Sequence, residues 1–84
     1  MTCMRVEVLL FASARDAVGE TQLSLEVADG AVVASVVDLL LERHAALRPA
    51  RPTLRFAVNE EFVHADHVLR DRDTLALLPP VSGG

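Results

Sequence analysis

Apolar positions recur every second residue at both ends of the chain and every third or fourth in its middle. From Arg5 to Ala12 (RVEVLLFA), Val6, Val8 and Leu10 share one face and Arg5, Glu7, Leu9 and Phe11 the other. This period predicts a strand, with an apolar patch where the second face is ordinarily wet. SARDAVG reads as a loop with room for one helical turn, closing at Gly19. Glu20–Val27 (ETQLSLEV) alternates again, Leu23, Leu25 and Val27 inward, close enough to the first run to pair as a hairpin. After ADG the period changes. Val33, Val36, Val37, Leu40 and Leu41 predict an amphipathic helix over Val32–His44, with Asp29 at its positive start and Arg43 and His44 at its negative end. Pro49 and Pro52 stop it.

Leu54–Val58 (LRFAV) returns to period two, with Leu54, Phe56 and Val58 on one side. Asn59-Glu60-Glu61 predicts a tight turn, because Asn tolerates positive φ, and Phe62-Val63-His64 a short return strand. ADHVLRDRD reads as a loop from which Val68 and Leu69 plug the core. Asp73–Leu78 (DTLALL) is the last strand, Leu75 and Leu77 on one face and Thr74, Ala76 and Leu78 on the other.

Strand, strand, helix and then three strands is an α+β order in which one main helix covers one face of a mixed sheet of about five strands. A right-handed crossover places the last strand parallel to the first. This is the β-grasp arrangement, with the last strand central and whatever follows it leaving as a tail. The expected organisation is a β-grasp domain over 1–78 and a flexible tail over 79–84.

Composition narrows the function. A formal charge of −4 leaves no electrostatic footprint for nucleic acid. The N-terminus mimics a secretion signal, but Glu7 interrupts its apolar run and cleavage would remove a strand. No segment reaches the length of a membrane span, so the expectation is a cytoplasmic protein that binds neither nucleic acid nor membrane. The lone Cys3 fits a reducing compartment and excludes an internal disulfide. His64 and His67 are too few ligands for a metal site, and no Ser-His-Asp or paired-carboxylate pattern occurs. Every basic side chain besides histidine is an arginine, so no ε-amine is present to accept an acyl group.

Chemistry instead points to the end of the chain, LLPPVSGG. Pro79 and Pro80 fix φ and lower the entropy lost when a tail is ordered on binding. Val81, Ser82, Gly83 and Gly84 follow, and the six residues beyond Leu78 reach about 20 Å when extended. Two terminal glycines let a carboxylate travel down a slot closed to larger residues. By parity Phe11 and Leu78 lie on the helix-free face, with Phe62 beside them, and exposed contiguous apolar side chains mark an interface.

LFASARDAVG, AVNEEFV and HVLRDRDTLALLPPVSGG, in this order and spacing, resemble the small subunit of molybdopterin synthase over Val6–Gly84. The family's fold is ubiquitin-like. The resemblance implies a sulfur carrier whose Gly84 is adenylated with ATP by a partner similar to ubiquitin-activating enzymes. A persulfide donor protein then converts Gly84 to a thiocarboxylate. It further implies donation of that sulfur, within a heterotetramer containing the large subunit, to cyclic pyranopterin monophosphate, giving molybdopterin. In that picture this chain binds no cofactor and is not catalytic alone. Pro79 to Gly83 thread the partner's slot, and Phe11, Phe62 and Leu78 dock. Arg72 departs from the family's usual glycine, and because positive φ costs a side chain about 1 kcal/mol a different turn is expected there. Two alternatives stay open: a sulfur carrier or protein modifier serving thiamine, cysteine or transfer-RNA thiolation, and a non-catalytic β-grasp interaction module.

Overall fold

The computed structural model describes residues 3–80. Its strands are β1 (Cys3–Leu10), β2 (Gln22–Ala28), β3 (Arg55–Val58), β4 (Glu61–Val63) and β5 (Thr74–Leu78). They form one mixed sheet in the order β2-β1-β5-β3-β4. β5 is central, parallel to β1 on one side and antiparallel to β3 on the other. This is the expected β-grasp roll. The period-two residues explain it: Val6, Val8 and Leu10 of β1, Leu75 and Leu77 of β5, and Phe56 and Val58 of β3 are all buried. They meet Val33, Val36, Val37 and Leu40 of helix α2 (Val33–Arg43) in one core. Leu41 is only half-buried at the edge of that stripe, as are Leu23 and Val27 on the outer strand β2.

Several segments differ from the sequence expectation. SARDAVG is a full short helix, α1 (Ala12–Val18), which buries Ala14 and ends on Gly19 in the left-handed conformation, φ 87°. Its single buried position leaves no apolar stripe to read. The prolines do not end α2, which already stops at Arg43; the chain then winds into a 3₁₀ segment, Ala45–Thr53, that contains both Pro49 and Pro52 and buries Leu47 completely. Arg48 Nε donates to the Leu41 carbonyl at 3.1 Å, placing a cation at the negative end of α2 alongside Arg43. In the 64–70 loop only Leu69 enters the core. Val68 is 56% exposed and bridges Val32 through its backbone instead.

The start of α2 is capped by that loop, with no contribution from Asp29. Val33 N–H donates to the His67 carbonyl and Ala34 N–H to the Ala65 carbonyl, at 3.0 and 2.8 Å. Two of the first-turn donors that lack an intrahelical partner are thus taken by distant backbone. The same loop returns a bond, Leu69 N–H to the Ala31 carbonyl. The Arg72 turn keeps positive φ, 69°, despite carrying a side chain. Asp73 accepts from Arg70 N–H at 2.8 Å, while Arg72 N–H reaches the Arg5 carbonyl at 2.7 Å. These bonds hold the strained residue in place.

Candidate functional site

The sheet face opposite α2 carries a shallow apolar trough. Strand register sets its floor: Leu9 of β1 lies beside Ala76 of β5, Ala76 beside Ala57 of β3, and Ala57 beside Phe62 of β4. The sequence neighbours of Leu9, Ala57 and Ala76 are all buried in the core, so alternation turns this row outward. Two alanines on the central strands keep the floor low, and larger residues stand around it. The resulting trough, about 620 Å³, is lined by Leu9, Phe11, Ala57, Phe62, Ala76 and Leu78, with Thr74, Asn59 and Glu60 at its polar end.

Phe11 and Phe62 are 45% and 73% exposed, large values for phenylalanine, and Leu78 is half-buried. The structure therefore brings together Phe11 and Leu78, which strand parity put on this face, and Phe62, expected beside them. Phe11 belongs to the residue after β1 rather than to the strand. It is extended (φ −121°, ψ 152°), and Ala12 turns sharply after it with φ 50°. That reversal leaves the ring at the trough. Phe62 is presented by a two-residue hairpin, Asn59-Glu60, with φ 50° and 72°, the positive pair expected of a type I′ turn.

The trough ends where β5 ends. Pro79 is buried and Pro80 exposed, so burial continues one residue past the 1–78 boundary. A second cleft of about 440 Å³ runs between Arg55, Phe62, Leu78, Pro79 and Pro80. Val81, Ser82, Gly83 and Gly84, the remaining tail residues, lie outside the described residues.

Leu9, Ala57, Ala76 and Arg55 were not singled out from the sequence. Strand parity already placed Leu9 with Phe11 and Ala76 with Leu78, but a small alanine does not announce itself as the floor of a site. Chemically the trough is apolar: among the described residues that line it, Glu60 is the one carboxylate, at the rim. His64 and His67 are both exposed, and no group of three metal-ligating side chains occurs among the described residues.

The comparisons agree with this fold. The ThiS family matches residues 8–84. The molybdopterin synthase sulfur carrier subunit of Arabidopsis thaliana is 35% identical over 81 residues, covering 96% of this chain and 84% of that protein. Among solved structures, SAMP1 from Haloferax volcanii superposes with a TM-score of 0.84 at 29% identity, covering 95% of this chain and 99% of that one. A Helicobacter pylori protein–protein complex of subunits 1 and 2 of molybdopterin-converting factor matches with a TM-score of 0.66 at 26% identity, covering 96% of this chain and 100% of that one. With a match that spans nearly the whole sequence, this chain belongs to the ThiS family.

Proposed function

We propose that this chain is the sulfur carrier subunit of a molybdopterin synthase. The observation that carries the reading is the junction of a central strand, an exposed apolar trough and a Pro-Pro exit, in a chain 35% identical to such a carrier over nearly its full length. The trough supplies a docking area for the large subunit and for an adenylating enzyme, with Phe11, Phe62 and Leu78 as its apolar anchors. Pro79 to Gly83 carry Gly84 into the partner's active site.

A carboxylate resists substitution because its charge is delocalised. Attack of the Gly84 carboxylate on the α-phosphorus of ATP expels pyrophosphate and gives an acyl adenylate. The terminal sulfur of a persulfide then displaces AMP, and a thiol cleaves the resulting acyl disulfide to release the thiocarboxylate. The domain itself binds no cofactor in this scheme; ATP is held by the activating enzyme. In the large subunit the sulfur passes to cyclic pyranopterin monophosphate, and the chemistry belongs in the cytoplasm, where that thiol stays reduced.

The test is intact-mass spectrometry after incubation with activating enzyme, ATP and a persulfide donor. Exchange of one oxygen for sulfur at Gly84 supports the carrier, and an unchanged mass leaves a non-catalytic interaction module. Adding the large subunit and the pyranopterin should then give molybdopterin. The likeness to SAMP1 favours a second reading, a protein modifier. Amide conjugates between Gly84 and lysines of other proteins would support it.

A further inference from the structure

We propose that Arg55 is an electrostatic anchor at the tail end of the trough, and that the synthase large subunit meets it with a carboxylate. The inference rests on the docking role proposed above and adds a charged contact to an otherwise apolar surface.

Three observations place Arg55 there. It stands opposite Leu78 in the β3–β5 register, at the last residue before the prolines. It is exposed, and it lines the exit cleft with Phe62, Leu78, Pro79 and Pro80. Among the described residues the ion pairs are Arg5–Glu26, Arg15–Asp16 and Arg72–Asp71, so none involves Arg55. Arg51, by comparison, lies over the Phe56 ring at 5.5 Å, and Arg48 is bonded to the Leu41 carbonyl.

The charge requirement follows from this placement. A partner that covers Phe62 and Leu78 also covers the side chain between them and the prolines. A guanidinium carries five N–H donors and stays protonated at any physiological pH. Removing it from water without a counter-charge is strongly unfavourable, whereas a carboxylate can accept two of its donors in parallel. The opposite end of the trough bears Glu60, so the face is polarised along its strands. A partner with an acid beside its tail entrance fits in one orientation only, the one that sends Pro80 toward that entrance.

The experiment measures binding of the full-length chain to its cognate large subunit at low and high salt, using wild type, Arg55→Glu, Arg55→Leu and Phe62→Asp. Thermal melts establish that each variant folds. Charge reversal at Arg55 is expected to weaken binding by at least about tenfold. Arg55→Leu is expected to flatten the salt dependence seen in wild type, because screening then has less to act on. Wild-type affinity and an unchanged salt response in both Arg55 variants, with binding lost in Phe62→Asp, overturn the anchor and leave the docking face standing. Undiminished binding in Phe62→Asp overturns the docking face itself. A wild type that does not bind the large subunit removes the partner, and the anchor with it.

Discussion

Asn59 and Asp73, fourteen residues apart, join the β3–β4 hairpin to the start of β5. Asn59 Nδ2 donates to Asp73 Oδ1 at 2.9 Å, and Asn59 Oδ1 accepts from Thr74 N–H at 3.0 Å. Asp73 Oδ2 accepts from Arg70 N–H as well, so one carboxylate serves two turns. Asp73→Ala removes both bonds and is expected to cost about 1–2 kcal/mol, read as a fall of several degrees in Tm. Asn59→Gly keeps the positive φ while losing the side-chain bonds. A loss similar to that of Asp73→Ala would assign the effect to the hydrogen bonds, and an unchanged Tm would show that the backbone conformation alone secures the turn.

Leu47 closes the core from the 3₁₀ segment and is completely buried. Leu47→Ala should cost about 2–5 kcal/mol through lost burial and the cavity left behind. Denaturant unfolding with an unchanged m-value measures it. A loss below about 1 kcal/mol would mean that the segment collapses onto the gap.

The contrast between Leu47 and β5 shows what the sequence can display. Leu75 and Leu77 declare themselves by alternating with Thr74, Ala76 and Leu78, because a strand imposes period two on whatever it buries. The same rule set Phe11 and Leu78 on the open face. Leu47 stands alone among arginines, alanines and prolines, and a single plug has no period. Ala14 is the same case in α1. Val68 and Leu69 are adjacent in a loop, where the backbone path decides which of them points inward, and only Leu69 does. The trough floor was hidden for another reason. Its centre is a pair of alanines, Ala57 and Ala76, whose place on the open face appears only once three strands are in register.

Arg72, at φ 69°, occupies a conformation that glycine adopts freely. Arg72→Gly is therefore expected to stabilise the domain, by at most about 1 kcal/mol, since relief of strain is partly offset by the larger backbone entropy of unfolded glycine. Its side chain is almost fully exposed, with a long 3.9 Å ion pair to its neighbour Asp71, so little else is lost. A clear fall in Tm would show that the arginine makes a stabilising contact there.

Phe62 and Leu78 should respond differently to a buried-charge test. Phe62 is 73% exposed, so Phe62→Asp should leave Tm nearly unchanged while weakening large-subunit binding by about 2 kcal/mol or more. Leu78 is half-buried in the central strand, and Leu78→Asp is expected to lower both stability and binding. Phe11→Asp should behave more like Phe62. Circular dichroism melts with a binding titration separate the two effects; unfolding in Phe62→Asp would place that ring in the core instead.

Gly83 tests the proposed reactive end. Its case rests on sequence and chemistry, since it lies outside the described residues. If Gly84 reaches an adenylation site through a narrow slot, Gly83→Val should leave stability within about 0.5 kcal/mol of wild type. Activation should nevertheless collapse. Val excludes the backbone conformations open only to glycine and widens the tail by a branched side chain. Misplacing a reacting atom by about 1 Å can lower a rate on the order of a hundredfold. Deleting Gly84 moves the carboxylate back by about 3.5 Å and should be equally damaging. The measurement is ATP-dependent thiocarboxylate formation, followed by intact mass, for wild type and both variants. Near-normal formation in Gly83→Val rules out a tight slot, and sulfur transfer that survives loss of Gly84 rules out the carrier.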